Sequence, residues 1–427
     1  MALPRKIAGK SDCFMKIAAV IAEYNPFHNG HRYQIEQTRL LTGADYVLSL
    51  MSGNFVQRGA PAIFNKYLRT RMALLGGADA VIELPCLYAL SSAEFFAGGA
   101  VALLNRLGSI DFLSFGSEEG NLDSILALAG RLAYPSRGYD SLLRSLLKQG
   151  LSFPAARYQA LAQADSGHKG RIPETLLTSP NNILALEYCK SLLATNSPIR
   201  PFTLKRQGSP YHGKDLDGKP GGFSSACAIR AAIEGTRPGI LEEYPASFLT
   251  CGDFSSLLHY RLLMGQEDGF SDYLDCSVDL SDRIRNSLPE FEGFDSFCRL
   301  LKTKEVTYTR ISRILMHILL EIRTPKAYAA PFLERRLPVP YARLLGFRRT
   351  CAPLLSAIKK NADIPLLSKL ADAPALLGRC SAQSPERDGL HMLRQDVLAS
   401  DIYEAVYSGK YGGGAAKNEY RQSPVIL

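Results

Sequence analysis

The sequence lacks the features that would place the chain in a membrane, a secreted disulfide scaffold or a zinc ribbon. It has no apolar run of about 18 residues, so no membrane-spanning helix is predicted. Residues 1–14 contain basic side chains but no apolar segment, and they predict a loose N-terminal extension rather than a secretory signal. None of the nine cysteines forms a C-x-x-C pair. The pattern favours reduced, mostly buried thiols and a cytoplasmic location.

The composition indicates a globular chain of two or three domains. Hydrophobic residues make up 46% of the chain and charged residues 21%, which is enough apolar material for a core. The net charge of +9 favours a polyanionic partner. Residues 299–349 carry twelve basic and three acidic side chains and so match the net charge of the whole chain. This stretch is either a phosphate-binding surface or an ordinary solvated helix face.

Short apolar runs alternate with helical patterns in the first half of the chain. This alternation predicts an α/β fold with a Rossmann-like, doubly wound parallel sheet. Ligands bind such sheets at the carboxyl ends of the strands, so the loops after Ala22, Met51, Leu84 and Phe115 are expected at the site. Strands are predicted at residues 17–22, 46–51, 80–84, 110–115 and 199–206, and helices at residues 30–42, 66–75, 91–107 and 180–193.

The pattern changes near residue 240, where strand alternation gives way to helical stretches. Helices are predicted at residues 308–321 and 354–362, separated by Pro338 and Pro340. The sequence therefore predicts a sheet-containing domain at residues 15–240 and a mainly α-helical, basic domain at residues 241–427.

The strongest chemical signal is the string EYNPFHNGH at residues 23–31, between the first strand and the first helix. His28 and His31 lie about one helical turn apart, so both imidazoles can face one point. Gly30 lets a bulky group approach the backbone, and the helix N-terminus adds free N–H donors and a positive dipole end. This environment suits a phosphate chain, because two imidazoles can donate hydrogen bonds to charge that develops on phosphate oxygens.

Two other interpretations of the histidines stay open. They could be metal ligands, although no third and fourth ligand cluster with them among the other five histidines. They could also be core histidines, but the Asn-Pro and Asn-Gly neighbours favour a tight loop at a surface cleft.

Polar side chains also follow the second predicted strand. Asn54, Gln57 and Arg58 lie in a loop bounded by glycines. This is either an ordinary α/β loop or a wall of the substrate site, with Arg58 available to hold a carboxylate or phosphate. Lys66, Arg69 and Arg71 begin the next helix, either as solvated charges or with one side chain reaching the site.

The fourth strand and a later helix supply further candidates. Gly116 removes a side chain where an adenine or ribose could pass close to the backbone. Glu118 is either part of the site or a simple helix-start acid. Asn181 and Asn182 follow Pro180 at a helix start, so one is expected to cap the helix and the other to bond a nucleotide.

These motifs together resemble a known family. Residues 28–31, HNGH, resemble the (H/T)-x-G-H signature of the nucleotidylyl transferases related to class I aminoacyl-tRNA synthetases. The longer string EYNPFHNGH is similar to the tRNA(Met) cytidine acetate ligase family. The resemblance spans most of residues 15–350 and continues through MSGNFVQRG (51–59), GADAVIELP (77–85), FGSE (115–118), SPNNIL (179–184), YH (211–212), SACAIR (225–230) and YARLLGF (341–347).

The resemblance implies that residues 15–240 form a nucleotidyltransferase core that binds ATP, with Mg²⁺ as its counter-ion. It implies catalytic roles for His28, His31, Arg58 and Arg230. The ATP-binding residues that it implies are Ile21, Ala22, Glu23, Tyr24, Asn25, Pro26, Phe27, His28, Asn29, Gly30, His31, Gln34, Gly116, Asn181, Asn182, Lys205, Arg206, Ser225 and Arg230.

Residues 225–230 resemble the S-[ST]-T-x-[IV]-R element of these transferases, in which hydroxyls and N–H groups at a helix start hold the ATP phosphates. Ser225, Ile229 and Arg230 fit by position. The sequence departs at Ala226 and Cys227, where hydroxyl residues are usual, so side-chain contacts to phosphate are not expected from these two positions.

The activity implied by the resemblance is an ATP-dependent ligation on tRNA. Acetate becomes acetyl-adenylate, and the wobble cytidine of elongator tRNA(Met) then becomes N4-acetylcytidine. A small-molecule nucleotidylyltransferase of cofactor synthesis and a non-catalytic RNA-binding protein stay open as alternatives. The basic helical region argues against the first, and the intact histidine pair argues against the second. The candidates for contact with the tRNA backbone are Arg310, Arg313, Arg335, Arg336, Arg348 and Arg349.

Overall fold

The structure is a computed structural model that describes most of the chain. The described residues are 15–149, 151, 153–164, 175–206, 224–236, 243–324, 337–377, 389–412 and 417–427. The predicted extension at residues 1–14 lies outside these ranges, as do Tyr211, His212, Arg335 and Arg336.

A mixed, mostly parallel sheet lies at the centre of the fold. Its strands β5, β2, β1, β6 and β7 run parallel in that order, which is the order of a doubly wound sheet. β3 and β4 form a separate hairpin. The strands are β1 (Ile17–Ala22), β2 (Tyr46–Ser52), β3 (Phe55–Val56), β4 (Ala60–Pro61), β5 (Ala80–Leu84), β6 (Phe112–Ser117), β7 (Arg200–Lys205), β8 (Ala342–Phe347), β9 (Leu366–Leu367) and β10 (Val425–Ile426).

Helices cover the sheet and continue beyond it. The predicted helices at residues 66–75 and 308–321 are confirmed, and the second is shorter by two residues. The helices are α1 (Asn29–Thr42), α2 (Lys66–Leu75), α3 (Cys86–Ala89), α4 (Ala93–Leu107), α5 (Leu122–Ala133), α6 (Tyr139–Lys148), α7 (Phe153–Ala164), α8 (Thr175–Thr178), α9 (Pro180–Ala194), α10 (Ala226–Glu234), α11 (Ser255–Gly265), α12 (Val278–Ser287), α13 (Phe294–Leu301), α14 (Tyr308–Leu319), α15 (Ala352–Asn361), α16 (Ala373–Leu377) and α17 (Gly389–Tyr411). None of these helices combines the length and apolar character that a membrane crossing requires.

The first strands form as their sequences predict. β1 and β2 are apolar and largely buried, as expected for parallel strands that are covered on both faces. α1 ends at Gly43, which has a φ of 64° and so terminates the helix in the left-handed region. The predicted Rossmann-like core is thereby confirmed.

The C-terminal part of the chain also contributes to this sheet, which the sequence did not predict. β8 pairs antiparallel with β5, and both β9 and β10 pair parallel with β8. β8 is short and apolar, and its pairing partner lies in a distant part of the sequence, so local periodicity carries no signal for it. The sheet is therefore completed by strands that follow the helical stretch.

A buried cluster of four charges ties these C-terminal strands to the core. Lys66 Nζ lies 2.8 Å from Glu83 Oε1 and 2.6 Å from Glu419 Oε1. Arg343 lies 2.5 Å from Glu419 and 3.3 Å from Glu83. Each charge therefore has two partners of opposite sign, which compensates for its loss of water. The interpretation of Lys66 and Arg69 as solvated charges is wrong, because both side chains are fully buried.

The helical part packs directly against the β3–β4 hairpin. Ser312 Oγ on α14 donates a hydrogen bond to the carbonyl oxygen of Gly59 at 2.7 Å. A Cβ on Gly59 would lie 2.3 Å from the backbone nitrogen of Arg313, so only glycine permits this approach. The hairpin follows β2, so α14 borders the carboxyl end of the sheet.

Candidate active site

The predicted site lies at the carboxyl ends of the parallel strands. The EYNPFHNGH segment leaves β1 and enters α1, whose first residue is Asn29 and whose N-cap is His28. Lys205 and Arg206 follow at the end of β7, and Gly116 lies near the end of β6. The order β2-β1-β6-β7 brings these segments side by side at one edge of the sheet.

The two histidines cap the first helix reciprocally. His28 Nδ1 accepts a hydrogen bond from the backbone N–H of Gly30 at 3.0 Å, and His31 Nδ1 accepts one from the backbone N–H of His28 at 3.3 Å. The rings stack with their centroids 3.9 Å apart. Because each Nδ1 is an acceptor, each neutral ring carries its proton on Nε2. The turn thus offers two neighbouring Nε2–H donors.

Both imidazoles are neutral at physiological pH. Burial, together with the nearby positive charges of Arg206 and Arg230, lowers the pKa of His28 to about 4. Burial also holds the pKa of His31 well below its usual range, with added contributions from His28 and Arg206. A neutral imidazole still donates through Nε2–H, so the pair can stabilise an anion without itself carrying a charge.

The other side chains of the turn are committed to the fold. Tyr24 is buried, and its hydroxyl lies 2.8 Å from Ser49 Oγ. Asn25 is also buried, and its Oδ1 accepts a hydrogen bond from the backbone N–H of Ile63 at 2.8 Å. Phe27 packs in a core cluster with Tyr24. These side chains fix the turn, which leaves its backbone and the histidine rings to meet a ligand.

Tyr244 supports the same turn and was not found by sequence reasoning. Its hydroxyl donates to the carbonyl oxygen of Phe27 at 2.9 Å, and its ring stacks on Phe64. Tyr244 lies far from Phe27 in the sequence and belongs to no recognisable motif, so no local signal could have identified it.

Arg206 and Arg230 place positive charge beside the histidines. Arg230 Nη1 donates to the carbonyl oxygen of Asn25 at 2.6 Å, which joins α10 to the histidine turn. The backbone N–H of Arg206 donates to the carbonyl oxygen of Ser117 at 3.0 Å. A Cβ on Gly116 would make only ordinary contact, 3.5 Å from Arg206 Cγ. Protein packing alone therefore does not require glycine at this position.

The expected helix cap by Asn181 or Asn182 is wrong. The N-cap residue of α9 is Ser179. The Glu118 carboxylate instead accepts hydrogen bonds from the backbone N–H groups of both asparagines, at 3.4 and 2.9 Å. Asn181 Nδ2 donates to Glu118 at 2.7 Å, and Asn182 Oδ1 accepts from the backbone N–H of Glu118 at 2.8 Å. Glu118 thus acts as the helix-start acid for α9 and links it to the end of β6.

The first turn of α10 has the form expected for a phosphate-binding element. Ser225 is its N-cap, and Ser225 Oγ accepts a hydrogen bond from the backbone N–H of Ala228 at 3.1 Å. Ala226 and Cys227 occupy the first two helical positions, and Cys227 is exposed. The backbone N–H groups of this turn and the Arg230 guanidinium are therefore its means of holding an anion.

Arg58 lies in the turn of the β3–β4 hairpin, beside Gly59 and α14. The hairpin is joined to the end of β1 because the backbone N–H of Gln57 donates to Glu23 Oε1 at 3.0 Å. The remaining candidates lie along the same edge: Ile21, Ala22 and Gln34 are partly exposed, Pro26 is buried, and Asn29 and Lys205 are exposed.

The described residues contain no group of three or more His, Cys, Asp or Glu side chains that could hold a metal ion. Two carboxylates near the site, Glu23 and Glu118, already accept backbone N–H hydrogen bonds. The donor set in the described part of the chain therefore does not fit a protein-held metal, and it gives no support to the zinc interpretation.

Comparisons with known proteins agree on one family. A family model described as HIGH Nucleotidyl Transferase matches residues 15–418. The curated tRNA(Met) cytidine acetate ligase of Clostridium acetobutylicum is 41% identical over 373 residues, which cover 83% of this chain and 90% of that protein. The ligase of Acetivibrio thermocellus is 36% identical and covers 97% of this chain and 100% of its own length. A crystal structure of Thermotoga maritima TmcAL bound with alpha-thio ATP matches 97% of this chain and 100% of that chain, with 30% identity and a TM-score of 0.85.

Proposed function

The chain belongs to the HIGH nucleotidyl transferases and, among them, to the tRNA(Met) cytidine acetate ligase family, and from this membership we propose that it is an ATP-dependent ligase that acetylates tRNA. It activates acetate as acetyl-adenylate and transfers the acetyl group to the wobble cytidine of elongator tRNA(Met). The products are N4-acetylcytidine, AMP and pyrophosphate. The reaction takes place in the cytoplasm.

The observation that supports this proposal best is the pair of Nε2–H donors of His28 and His31, next to two arginines. The pair lies at the start of α1, at the edge of the sheet where doubly wound folds bind nucleotides. Phosphoryl and nucleotidyl transfer need positioning and charge stabilisation more than covalent help from the protein. The neutral imidazole donors and the two neighbouring arginines can supply both the positioning and the charge stabilisation.

In the first step an acetate oxygen attacks the α-phosphorus of ATP. A new P–O bond forms, the bond to the β-phosphate breaks, and pyrophosphate leaves with the bonding electrons. His28 and His31 donate hydrogen bonds to the α-phosphate oxygens as negative charge grows on them. Arg206, Arg230 and the N–H groups of α10 hold the leaving polyphosphate. Arg58 orients the carboxylate from the hairpin side.

In the second step the exocyclic amine of cytidine attacks the acetyl carbon. A C–N bond forms, the bond from the acetyl carbon to the phosphate oxygen breaks, and AMP leaves while the amine loses a proton. A base can reach the turn only after it leaves its stack in the anticodon loop. The protein therefore has to hold the tRNA backbone next to the carboxyl edge of the sheet.

Mg²⁺ enters this proposal only as a counter-ion bound to the triphosphate, because the described side chains do not form a site for it. It would neutralise phosphate charge there. Every other role falls to residues of the chain.

The tRNA surface is proposed on the helical side, within residues 241–427, while residues 15–240 supply catalysis. Arg310 supports this division, because its side chain is 36% exposed at the start of α14, where its Nη2 also lies 3.1 Å from Asp275 Oδ1. Arg313 is largely buried, 3.8 Å from Asp275. Arg348 donates two hydrogen bonds to the carbonyl oxygen of Leu74. Among the described residues of the basic stretch, Arg313 and Arg348 are thus tied into the fold, while Arg310 is partly exposed and Arg349 is exposed.

The deciding experiment incubates the protein with ATP, labelled acetate and bulk tRNA, followed by digestion to nucleosides. The proposal expects label in N4-acetylcytidine, and acetate-dependent exchange of pyrophosphate into ATP when tRNA is omitted. Pyrophosphate exchange that does not depend on acetate but increases when a mononucleotide is added would instead indicate a nucleotidylyltransferase of cofactor synthesis. tRNA binding without either reaction would indicate a non-catalytic RNA-binding protein.

A further inference from the structure

Arg69 on α2 is a fully buried arginine whose side chain hydrogen bonds go to backbone carbonyls. Nε donates to the carbonyl oxygen of Phe64 at 2.8 Å, and Nη1 donates to those of Glu23 at 2.6 Å and Ser52 at 3.1 Å. Nη2 donates to the carbonyl oxygen of Gly53. Among the described residues no carboxylate lies within ion-pair distance of this guanidinium.

Three of the four acceptors of Arg69 lie at the carboxyl ends of β1 and β2, at the sheet edge to which the proposed function assigns the substrates. Glu23 is the first residue after β1, and Ser52 and Gly53 are the end of β2 and the residue after it. These neighbouring strands open onto the histidine turn and the hairpin of Arg58. One planar guanidinium therefore sets the spacing between the two loops, because its donors have fixed geometry.

Arg69 also keeps a positive charge beneath this edge. Burial lowers its pKa to about 10, against the opposing influence of Tyr403, Glu23 and Glu83, so the side chain stays protonated at pH 7. Neutral carbonyls satisfy its donors without cancelling its charge. Because the guanidinium is buried, water screens its charge less than it would screen a charge in solvent, which favours a small anion near it.

We propose that Arg69 is a positioning residue for the activated acid: it shapes the backbone at Glu23 and Gly53 into the seat of the small carboxylate and places a positive charge behind it. This inference rests on the proposed function, since it assigns the carboxylate of that reaction to the mouth of β1 and β2. It concerns acid activation and not the tRNA step.

A core arginine that only held the protein together would behave differently. Its replacement would lower the folded fraction and reduce all rates alike. A positioning residue alters the Michaelis constant for the acid and the choice between acids of different size, while ATP binding on the β6 and β7 side changes little.

The test compares Arg69→Lys, which keeps the charge but loses the planar fork, with Arg69→Gln, which loses the charge but keeps donors. Arg71→Gln is the matched control, because Arg71 lies on the same helix and is exposed. The readouts are melting temperature and tRNA-free, acid-dependent exchange of pyrophosphate into ATP, with acetate and propionate as acids.

We expect Arg69→Lys to raise the KM for acetate by roughly tenfold, with the KM for ATP within about threefold of wild type and a reduced preference for acetate over propionate. Arg69→Gln should raise the acetate KM further, and Arg71→Gln should match wild type. If one Arg69 variant does not fold, the other carries the test. Unchanged acetate KM and acid preference in a folded variant would overturn the inference. Wild-type protein that lacked acetate-dependent exchange would overturn the proposed function, and this inference with it.

Discussion

Nδ1 of His31 accepts a hydrogen bond from the backbone N–H of His28, and the two imidazole rings stack with their centroids 3.9 Å apart. Each histidine thus restrains the orientation of the other, and Nε2–H is the remaining donor of each ring. The same two residues cap α1 and carry the proposed phosphate-binding donors, so the cap also fixes the geometry of the proposed phosphate site.

Replacement of His31 tests this link between cap and chemistry. His31→Ala removes one Nε2–H donor and should reduce acetate-dependent exchange of pyrophosphate into ATP by about 10²–10³-fold. tRNA binding, measured by filter retention, should stay within about twofold. His391→Ala, at an exposed position of α17, is the control. Equal losses of exchange and tRNA binding would contradict a chemical role for His31.

The lowered pKa of His28 predicts an acid-sensitive fold. The folded pKa of about 4 lies below the unfolded value of 6.5, so the unfolded chain binds an extra proton between these two values. This contribution to stability is therefore fully present above about pH 6.5 and is lost as the pH falls towards 4, by roughly 1–3 kcal/mol for a partly exposed ring. Urea unfolding at pH 7.5 and pH 5 should show the loss in wild type and a smaller one in His28→Asn, whose side chain can still cap α1. Identical pH dependence in both proteins would contradict the shift.

Cys227 offers a gain-of-function test at the start of α10. Cys227→Ser restores the hydroxyl that related elements carry, so it should lower the KM for ATP by about 2–10-fold through one further hydrogen bond to phosphate. Cys227→Ala removes the thiol without adding a hydroxyl and is the control. If both variants share the wild-type KM, phosphate does not reach this position.

The proposed tRNA surface distinguishes two arginines of the same basic stretch. Arg310→Gln should weaken tRNA binding and lower the slope of log K against log salt by about one unit, as expected for one lost phosphate contact. Arg348→Gln should keep that slope and instead lower the free energy of unfolding by about 1–3 kcal/mol, because its bonds go to the carbonyl oxygen of Leu74. A lower salt slope for Arg348→Gln and an unchanged slope for Arg310→Gln would indicate that Arg348, and not Arg310, contacts the tRNA phosphates.

The buried charge cluster predicts a large loss of stability from one C-terminal substitution. Glu419→Ala leaves Lys66 and Arg343 with one fewer carboxylate in a buried position, and it should cost about 3–5 kcal/mol in urea unfolding. Asp363→Ala breaks the exposed pair with Arg106 and should cost less than about 1 kcal/mol. Similar small costs for both would show that the cluster is not coupled to folding.

Features encoded by neighbouring residues could be predicted from the sequence. β1 and α2 match their predicted bounds, since apolar runs, helical periodicity and glycine stops are local signals. The histidine turn belongs to the same class, because its capping geometry needs only the spacing of His28 and His31. The resemblance to a family added the roles of segments that are distant in sequence.

Features that depend on distant partners could not be predicted. The polar character of Lys66 and Arg69 suggested solvent, but their burial depends on Glu83, Glu419 and the strand-end carbonyls. One of Asn181 and Asn182 was expected to cap the helix, but the Glu118 carboxylate accepts the backbone N–H groups at this helix start. In each case the neighbouring residues in the sequence allowed two placements of the side chain, and contacts with residues distant in the sequence determined which one formed.

The late position of β10 and Glu419 has a consequence during synthesis. A nascent chain can form β1 to β7 as they emerge from the ribosome, yet Lys66 and Glu83 lack Arg343 and Glu419, the other two members of their cluster, until residues near 420 arrive. The amino-terminal half would spend most of translation with an incomplete charge cluster and an open sheet edge at β5. Pulse-chase proteolysis of stalled nascent chains should therefore find resistance only after the final strand has left the exit tunnel.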